Sequence, residues 1–461
     1  MGLMDALRSA QTSLRINAAR SATLAANVGR VGEEGYARRE APTTTDLTGA
    51  RLARMRRAHD QALEGAQLTA RSADAAARTR AEALDRLRAL HGGPDGSGAP
   101  HALIADLKTA LQRHAADPGS TVAATAAIDR ARDLARGMNR IADGAAALRT
   151  EADAAIARDV DALRGLLDTF STLNGEVVRA SRTGRDGSDA ADARDRALLA
   201  IADLVDVEVR VREHGDMVLL TGDGGAVLHE SMPRPVAFTP TAALAGTGGG
   251  SPVTIDGQAL RAGSGGRIGA ALAVRDAVVP EVAERADAIA SALIDAFADA
   301  AGDGPFADTG TGPGLAARLA LDPDYDPDAG GDPLALRDGA PPTRNPDRNA
   351  GFATLLIERI EGIDAPRAFA PALGLGDRAS LASAAAAHLG QLERARADAD
   401  GARSGAATAL ERAANARTDA LGVNVDEEMA ALIEIEQAHA AAARIVAAVD
   451  AMLDDIFRAV R

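Results

Sequence analysis

Eight histidines stand at positions 59, 91, 101, 114, 214, 229, 388 and 439. Metal ligation needs two or more such side chains at a spacing that converges on one ion, and general acid–base work needs a partner within reach. None of them falls in HxxxH or HExxH spacing, and His229-Glu230 runs on into Ser231-Met232-Pro233 with no second ligand. They read as solvated or rim histidines. No serine sits in a GxSxG elbow. The chain has no cysteine, so disulfides, thiolate zinc and a cysteine nucleophile are excluded. The only lysine, Lys108, follows Leu107 rather than glycine, which removes the P-loop. Gly263-Ser264-Gly265-Gly266-Arg267-Ile268-Gly269 approaches a dinucleotide fingerprint but is misspaced, and no apolar strand feeds it. It reads as a joint leading into a helix. The alternating aspartates Asp322, Asp324, Asp326, Asp328 and Asp332 suggest calcium. An EF-hand register from Asp322, however, puts Pro327 at the glycine position and Pro333 at the bidentate glutamate. A solvated acidic loop fits better. The basic run Arg51, Arg54, Arg56 and Arg57 lacks aromatics and reads as a paired or solvated face. No nucleophile, base and oxyanion hole come together, so the chain reads as a non-enzyme with no catalytic, cofactor-binding or metal site and no cofactor.

The elements that would carry any function are helices. Leu3, Leu7, Ala10, Leu14, Asn17, Ser21, Leu24 and Val28 alternate in steps of four and three, one stripe of an amphipathic helix. Ala431, Ile435, Ala438, Ala442, Ile445, Val449, Met452 and Ile456 repeat the pattern at the other end. Asn424 or Asp426 can cap that second helix, and Glu427 and Glu428 suit its positive end. Two one-faced helices at opposite ends of a chain predict that the termini pair as a coiled coil. Between them, 58–90, 99–116, 120–181, 188–203, 266–301, 347–361 and 376–421 carry helical periodicity. One stretch has period two: Val205, Val207, Val209 and Val211 alternate with charged residues. Turns at His214-Gly215-Asp216 and Thr221–Gly225 follow it. Residues 204–262 therefore read as a small β insertion with one buried face, peripheral to the helices. Residues 302–346, rich in Gly, Pro and Asp, read as a long, partly ordered connection.

The 461 residues allow two to four domains, and the core must be built from Ala, Leu, Val and Ile because aromatics are 2% of the chain. Thin aliphatic layers suit long helices packed side by side. A net charge of −15 with few aromatics argues against nucleic-acid partners. No apolar run is long enough to predict membrane insertion. The N-terminus lacks the continuous apolar stretch of a secretory signal; its Arg/Ser/Ala content is similar to a transit peptide. Export, if it occurs, would use a route that reads no hydrophobic signal.

Particular residues then point to a family. Asn27-Val28-Gly29-Arg30 and Gly35-Tyr36-Ala37-Arg38-Arg39 stand where axial flagellar proteins carry Asn-Ile-Ala-Asn and Thr-Pro-Gly-Tyr-x-Arg. Asn27, Gly35, Tyr36 and Arg38 match; Arg30, Glu33 and Glu34 depart at the second Asn, the Thr and the Pro. Gly422-Val423-Asn424-Val425-Asp426-Glu427-Glu428 is similar to the Gly-Val-Asn-Leu-Asp-Glu-Glu of the hook-associated branch, with Leu432-Ile433, Gln437-Ala438 and Arg444 following. His439 and Ile435 stand where Tyr is usual. Inside the chain, Gly266–Glu281 resembles that branch's Arg-Asp-x-x-x-Pro helix, and Asp192–Leu199 with Val205 its Asp-Gln-Arg-Asp helix and first strand. The chain resembles the hook-associated protein 1 (FlgK-like) family.

The resemblance implies a mainly α, elongated, multi-domain axial protein with paired terminal helices, a long-helix body and a small β insertion. The expected division is 1–38 with 423–461 as an inner-tube coiled coil, 39–203 with 263–422 as the helical body, and 204–262 as an inserted β domain. The expected function is a structural adaptor at the hook–filament junction, secreted unfolded by the flagellar type III export apparatus and transiently cytoplasmic beforehand. Implied partners are copies of itself in a ring, the hook protein, the next junction protein and an export chaperone on the C-terminal helix. Leu3, Leu7, Leu14, Leu24, Val28, Ile435, Ile445, Val449, Met452 and Ile456 are the expected coiled-coil and inter-subunit residues. The alternative that the heptads alone support is a soluble coiled-coil scaffold or chaperone-like helical module unrelated to flagella.

Overall fold

The computed structural model describes residues 2–46, 49–92, 96, 98–242, 244, 248–299 and 302–459. Gly93-Pro94, between the helical stretches 58–90 and 99–116, and Val460, on the apolar face of the last helical stretch, lie outside them. Helix α1 spans Leu3–Gly29, α2 Gln61–Ala89, α3 Pro100–Ala116, α4 Thr121–Thr183 and α5 Ser188–Leu204. After the β segment come α6 (Gly266–Ala273), a π-helical link (Val274–Val278), α7 (Val279–Phe297) and two single turns, α8 (Leu315–Arg318) and α9 (Ala335–Asp338). Helices α10 (Thr354–Asp364), α11 (Leu381–Leu421) and α12 (Val425–Ala459) complete the chain.

The long helices start where a side chain can satisfy free amides. Asp60 accepts from the amides of Ala62 and Leu63, and Ser120 from that of Ala123. The 63 residues of α4 make a rod of roughly 95 Å at 1.5 Å per residue, and α4 is the spine on which the body is built. At one end Ile104, Leu111, Ile128 and Leu134 meet Ile289, Leu293 and Phe297 of α7 and Leu381 of α11. In the middle Leu84 and Leu87 of α2 pack with Leu148, Val279, Val282 and Leu392. Alanines fill the remaining contact positions, as a nearly aromatic-free composition requires. No helix among the described residues is long and apolar enough to cross a membrane.

Short strands decorate this frame in chain order. Near the N-terminus, β1 (Arg39–Glu40) pairs with β4 (Arg56–Arg57) and β2 (Thr43–Asp46) with β3 (Gly49–Leu52). Then β5 (Val207–Val211), β6 (Met217–Thr221) and β7 (Val227–His229) form one antiparallel sheet, with Val207 opposite Thr221 and Val211 opposite Met217. A second sheet joins β8 (Val236–Ala237), β9 (Thr254–Ile255) and β10 (Gln258–Ala259).

Here the structure departs from the expectation of a peripheral insertion. Central strand β6 is buried at all five positions. Val205, Val207, Leu219, Leu228 and Ile255 share one core with Ile156, Leu163 and Phe170 of α4 and Leu199 of α5. Both faces of β6 are covered, so an apolar run from Met217 to Leu220 replaces the alternation seen in β5. The fully buried Arg275 fixes the returning loop. Its guanidinium donates to Asp153 at 2.6 Å, to Asp276 at 2.7 Å and to the Ser251 carbonyl at 2.9 Å.

Residues 302–346 also differ from the expected connection. Strands β11 (Phe306–Asp308) and β12 (Leu319–Leu321) form a hairpin. Phe306, Leu319, Tyr325 and Leu336 enter the α4–α7 core as single anchors. The aspartates between them serve as turn caps: Asp322, Asp326 and Asp332 each accept an amide two residues on, and Asp326 also pairs with Arg132 at 2.6 Å. The last pair of strands, β13 (Arg367–Ala368) and β14 (Arg378–Ala379), precedes α11.

Candidate functional site at the paired termini

Helices α1 and α12 pack along one another, bringing the two ends of the chain together. On α12 the residues facing α1 are Glu428, Ile435, Ala442 and Val449, spaced by seven and all buried. On α1 they are Ala10 and Asn17, with Leu3, Leu7, Leu14, Leu24 and Val28 half-buried; Thr23 is buried on another face, toward Met55. Ile445, Met452 and Ile456 do not join the seam: about half of each is exposed, at 49%, 54% and 53%. They follow buried Ala442 and Val449 by three residues or lie beyond, whereas half-buried Val446 and Leu453 follow them by four. At 100° per residue those two sets lie on opposite flanks of the seam, and α1 covers only the second. Together Ile445, Met452 and Ile456 leave α12 an uncovered apolar flank.

At the inner end of this pair the motif residues form a buried polar node. Asn27, with no exposed surface, uses its whole amide. Its Nδ2 donates to the Arg39 carbonyl at 2.9 Å and to Glu428 Oε2 at 3.0 Å. Its Oδ1 accepts from Tyr36 Oη at 2.7 Å and from the Arg39 amide at 3.0 Å. Glu428, 1% exposed in its side chain, forms an ion pair with Arg38, Nε to Oε1 at 2.8 Å. Asp426 and Glu427 start α12 at the Asn424 cap, whose Oδ1 accepts their amides at 3.1 and 3.5 Å. Gly422 ends α11, and the Arg38 amide donates to the Leu421 carbonyl at 2.8 Å. Gly35 is held at φ +80, where a Cβ would lie 2.6 Å from Arg196 Cγ, so this position needs glycine on both counts.

The loop after α1 is anchored to α5 by charge. Asp189, Asp192 and Asp195 stand three residues apart on one face of α5. Asp189 takes Arg30 and Arg39 at 2.8 Å each. Asp192, nearly fully buried, pairs with Arg39 and takes Arg57 at 2.7 Å; Asp195 takes Arg57 at 2.5 Å. Hydrogen bonds from Arg30 and Arg39 hold the Asp189 carboxyl below the usual range, while burial pushes Asp195 up. Tyr36 lies between the guanidiniums of Arg30 and Arg39, 5.6 and 5.1 Å from its ring centre. The three departures from the family motif are all used: Arg30 on Asp189, Glu33 on Arg196 at 2.8 Å, and Glu34 on Arg71 at 2.5 Å. Sequence reasoning missed the aspartate face and Arg39. The signal available was the i, i+3, i+6 spacing of three carboxylates in a chain whose cations are nearly all arginine.

This arrangement has the chemistry of attachment. At the node the polar groups are consumed by one another, while Ile445, Met452 and Ile456 stay open on α12.

Comparison with known proteins agrees. Residues 95–314 match the family of the flagellar hook-associated protein FlgK helical domain, running without a break through the β segment. Residues 419–459 match the flagellar basal body rod FlgEFG protein C-terminal family. Together these matches take in more than half of the chain. The class is therefore that of flagellar axial proteins, which is a structural class. Within it, the chain carries a helical domain of the FlgK hook-associated family followed by an axial-type C-terminal segment. Among solved structures it is similar to the flagellar hook junction protein FlgK from Burkholderia pseudomallei, at 20% identity and a TM-score of 0.44, over 51% of this chain and 43% of that one. The chain thus matches less than half the length of that protein. Among curated proteins none matches.

Proposed function

We propose that this chain is a structural adaptor of the bacterial flagellar hook–filament junction, assembling with copies of itself into a ring that joins hook to filament. One observation carries the reading: a hook-associated helical domain and an axial-type C-terminal segment occur in one chain, in order. The Asn27–Glu428 node, which ties the two ends together, supports it. In this reading residues 1–38 with 423–461 form the unit nearest the axis. Residues 39–203 and 263–422 form the surrounding body, into which 204–262 is built. The uncovered flank of α12, with Ile445, Met452 and Ile456, meets the export chaperone before assembly. Afterwards it meets neighbouring copies, the hook protein or the next junction protein. The chain passes through the type III export apparatus and resides outside the cell in the flagellum. Its work is mechanical, not catalytic. Purified hook–basal bodies test this: the chain is expected in them at a fixed ratio to hook protein. Recovery only from the cytosol, with hooks and filaments complete in its absence, would overturn the reading.

A further inference from the structure

A cavity of about 290 Å3 lies on the flank of the body between α2, α5 and the β5–β6 hairpin, with Arg417 of α11 on its wall. The junction reading gives it no role, and its chemistry is independent of that reading. Its floor is aliphatic: Leu68, Leu198, Leu199, Val207 and Met217 are all buried. Its mouth opens to solvent at Gln61 and Glu208. The walls carry the carboxylates of Glu64, Asp195, Asp206 and Glu208 against the single guanidinium of Arg417.

Most of these charges are committed. Asp195 holds Arg57 at 2.5 Å, Asp206 accepts from Ser72 Oγ at 2.9 Å, and Glu208 takes Arg210 at 2.9 Å. Arg417, over nine-tenths buried, donates to the Gly35 carbonyl at 3.5 Å. Glu64 differs. Its Oε2 meets His59 Nδ1 at 2.8 Å, but its Oε1 is buried and accepts no hydrogen bond. A buried acceptor left without a donor is costly. After burial, the Glu64 charge raises the Asp195 carboxyl, against the lowering by Arg57 and Arg194.

We propose that this cavity binds an aliphatic cation, its alkyl chain on the Leu68–Leu198–Met217 floor and its ammonium or guanidinium donating to Glu64 Oε1. An anion of the same length would face four carboxylates, and a neutral chain would leave Glu64 unanswered. The cation can be a free amine or a lysine or arginine side chain of another polypeptide, and the test separates these. The full chain is titrated calorimetrically with n-hexylammonium, n-hexanol, n-hexanoate and a capped lysine peptide. Hexylammonium is expected to bind at least tenfold more tightly than hexanol, and hexanoate more weakly still. Glu64→Gln should cost hexylammonium at least tenfold and leave hexanol unchanged. Gly65 lies on the wall with open space where its Cβ would stand, so Gly65→Leu should fill the cavity and abolish binding. The same change should hold or raise the melting temperature, since it replaces a mid-helix glycine. A capped lysine peptide that binds as tightly as hexylammonium assigns the site to a side chain; weaker binding assigns it to a free amine. No saturable hexylammonium binding, hexanoate binding equal to it, or full affinity in Gly65→Leu would overturn the proposal.

Discussion

Replacing Asn27 by alanine removes a buried side chain that ties the N-terminal segment to α12. Its amide makes four hydrogen bonds, at 2.7 to 3.0 Å, with no exposed surface. Asn27→Ala leaves the Arg39 amide and carbonyl, Tyr36 Oη and Glu428 Oε2 without that partner. Each stranded buried group costs about 1–3 kcal/mol, and water entering the small cavity recovers part of it, so the net loss is roughly 3–5 kcal/mol. The loss should be local. Helices α1 and α12 meet the body mainly through this node and the α5 aspartates, whereas α4 is held by three cores. Hydrogen exchange is the assay. Amides of α1 and of the first turns of α12 should lose protection by about a hundredfold or more, those of mid-α4 by less than about twofold. A cycle with Glu428→Ala should show coupling of about 1 kcal/mol or more, because the two side chains share a hydrogen bond. Equal protection of α1 in wild type and variant, or strict additivity with Glu428→Ala, would refute the node as the link between the termini.

Three further outcomes are expected. His91 Nε2 and His388 Nε2 lie 2.8 Å apart, both buried, and burial first, then the neighbouring His91 charge, holds His388 down at about 3. The folded state therefore binds fewer protons than the unfolded one, and this stability is present above about pH 6.5 and lost as pH falls toward 3. Urea unfolding at pH 5 should show a loss of about 2 kcal/mol relative to pH 7.5 from His388 alone, and His388→Leu should flatten that slope; a pH-independent midpoint would contradict it. Replacing 206–260 with a short Gly/Ser linker should abolish cooperative unfolding of the body, because Val207, Leu219 and Ile255 share a core with Ile156 and Phe170. A normal melting transition in that variant would show the β segment to be dispensable. Val449→Asp, in the seam, should unpair α1 and α12, whereas Ile445→Asp, on the open flank, should leave the pairing intact and weaken only binding of the chaperone and of neighbouring copies. Identical hydrogen-exchange profiles for the two variants would defeat the assignment of the two faces.

Periodicity made the helices and their pairing legible, because an amphipathic stripe has to be covered. It did not say which flank of α12 the partner takes: steps of three and four from the same seam residue look alike until α1 is placed. The motif residues Asn27, Tyr36 and Glu428 were legible only through resemblance, since a lone asparagine in a heptad carries no sign of its four partners. The β segment misled because β5 alternates, and alternation signals one buried face; β6, beside it, is apolar from Met217 to Leu220, buried at every position, and is the central strand. In 302–346 the anchors Phe306, Tyr325 and Leu336 are isolated among Gly, Pro and Asp, and isolated anchors leave no period to read.

Immunogold labelling of intact flagella with antibody against the helical body tests the central claim most directly. The account predicts label confined to the single plane where hook meets filament, and none there when residues 1–38 are deleted. Label spread along the filament, or absent from the flagellum while the protein accumulates in the cytosol, would contradict it.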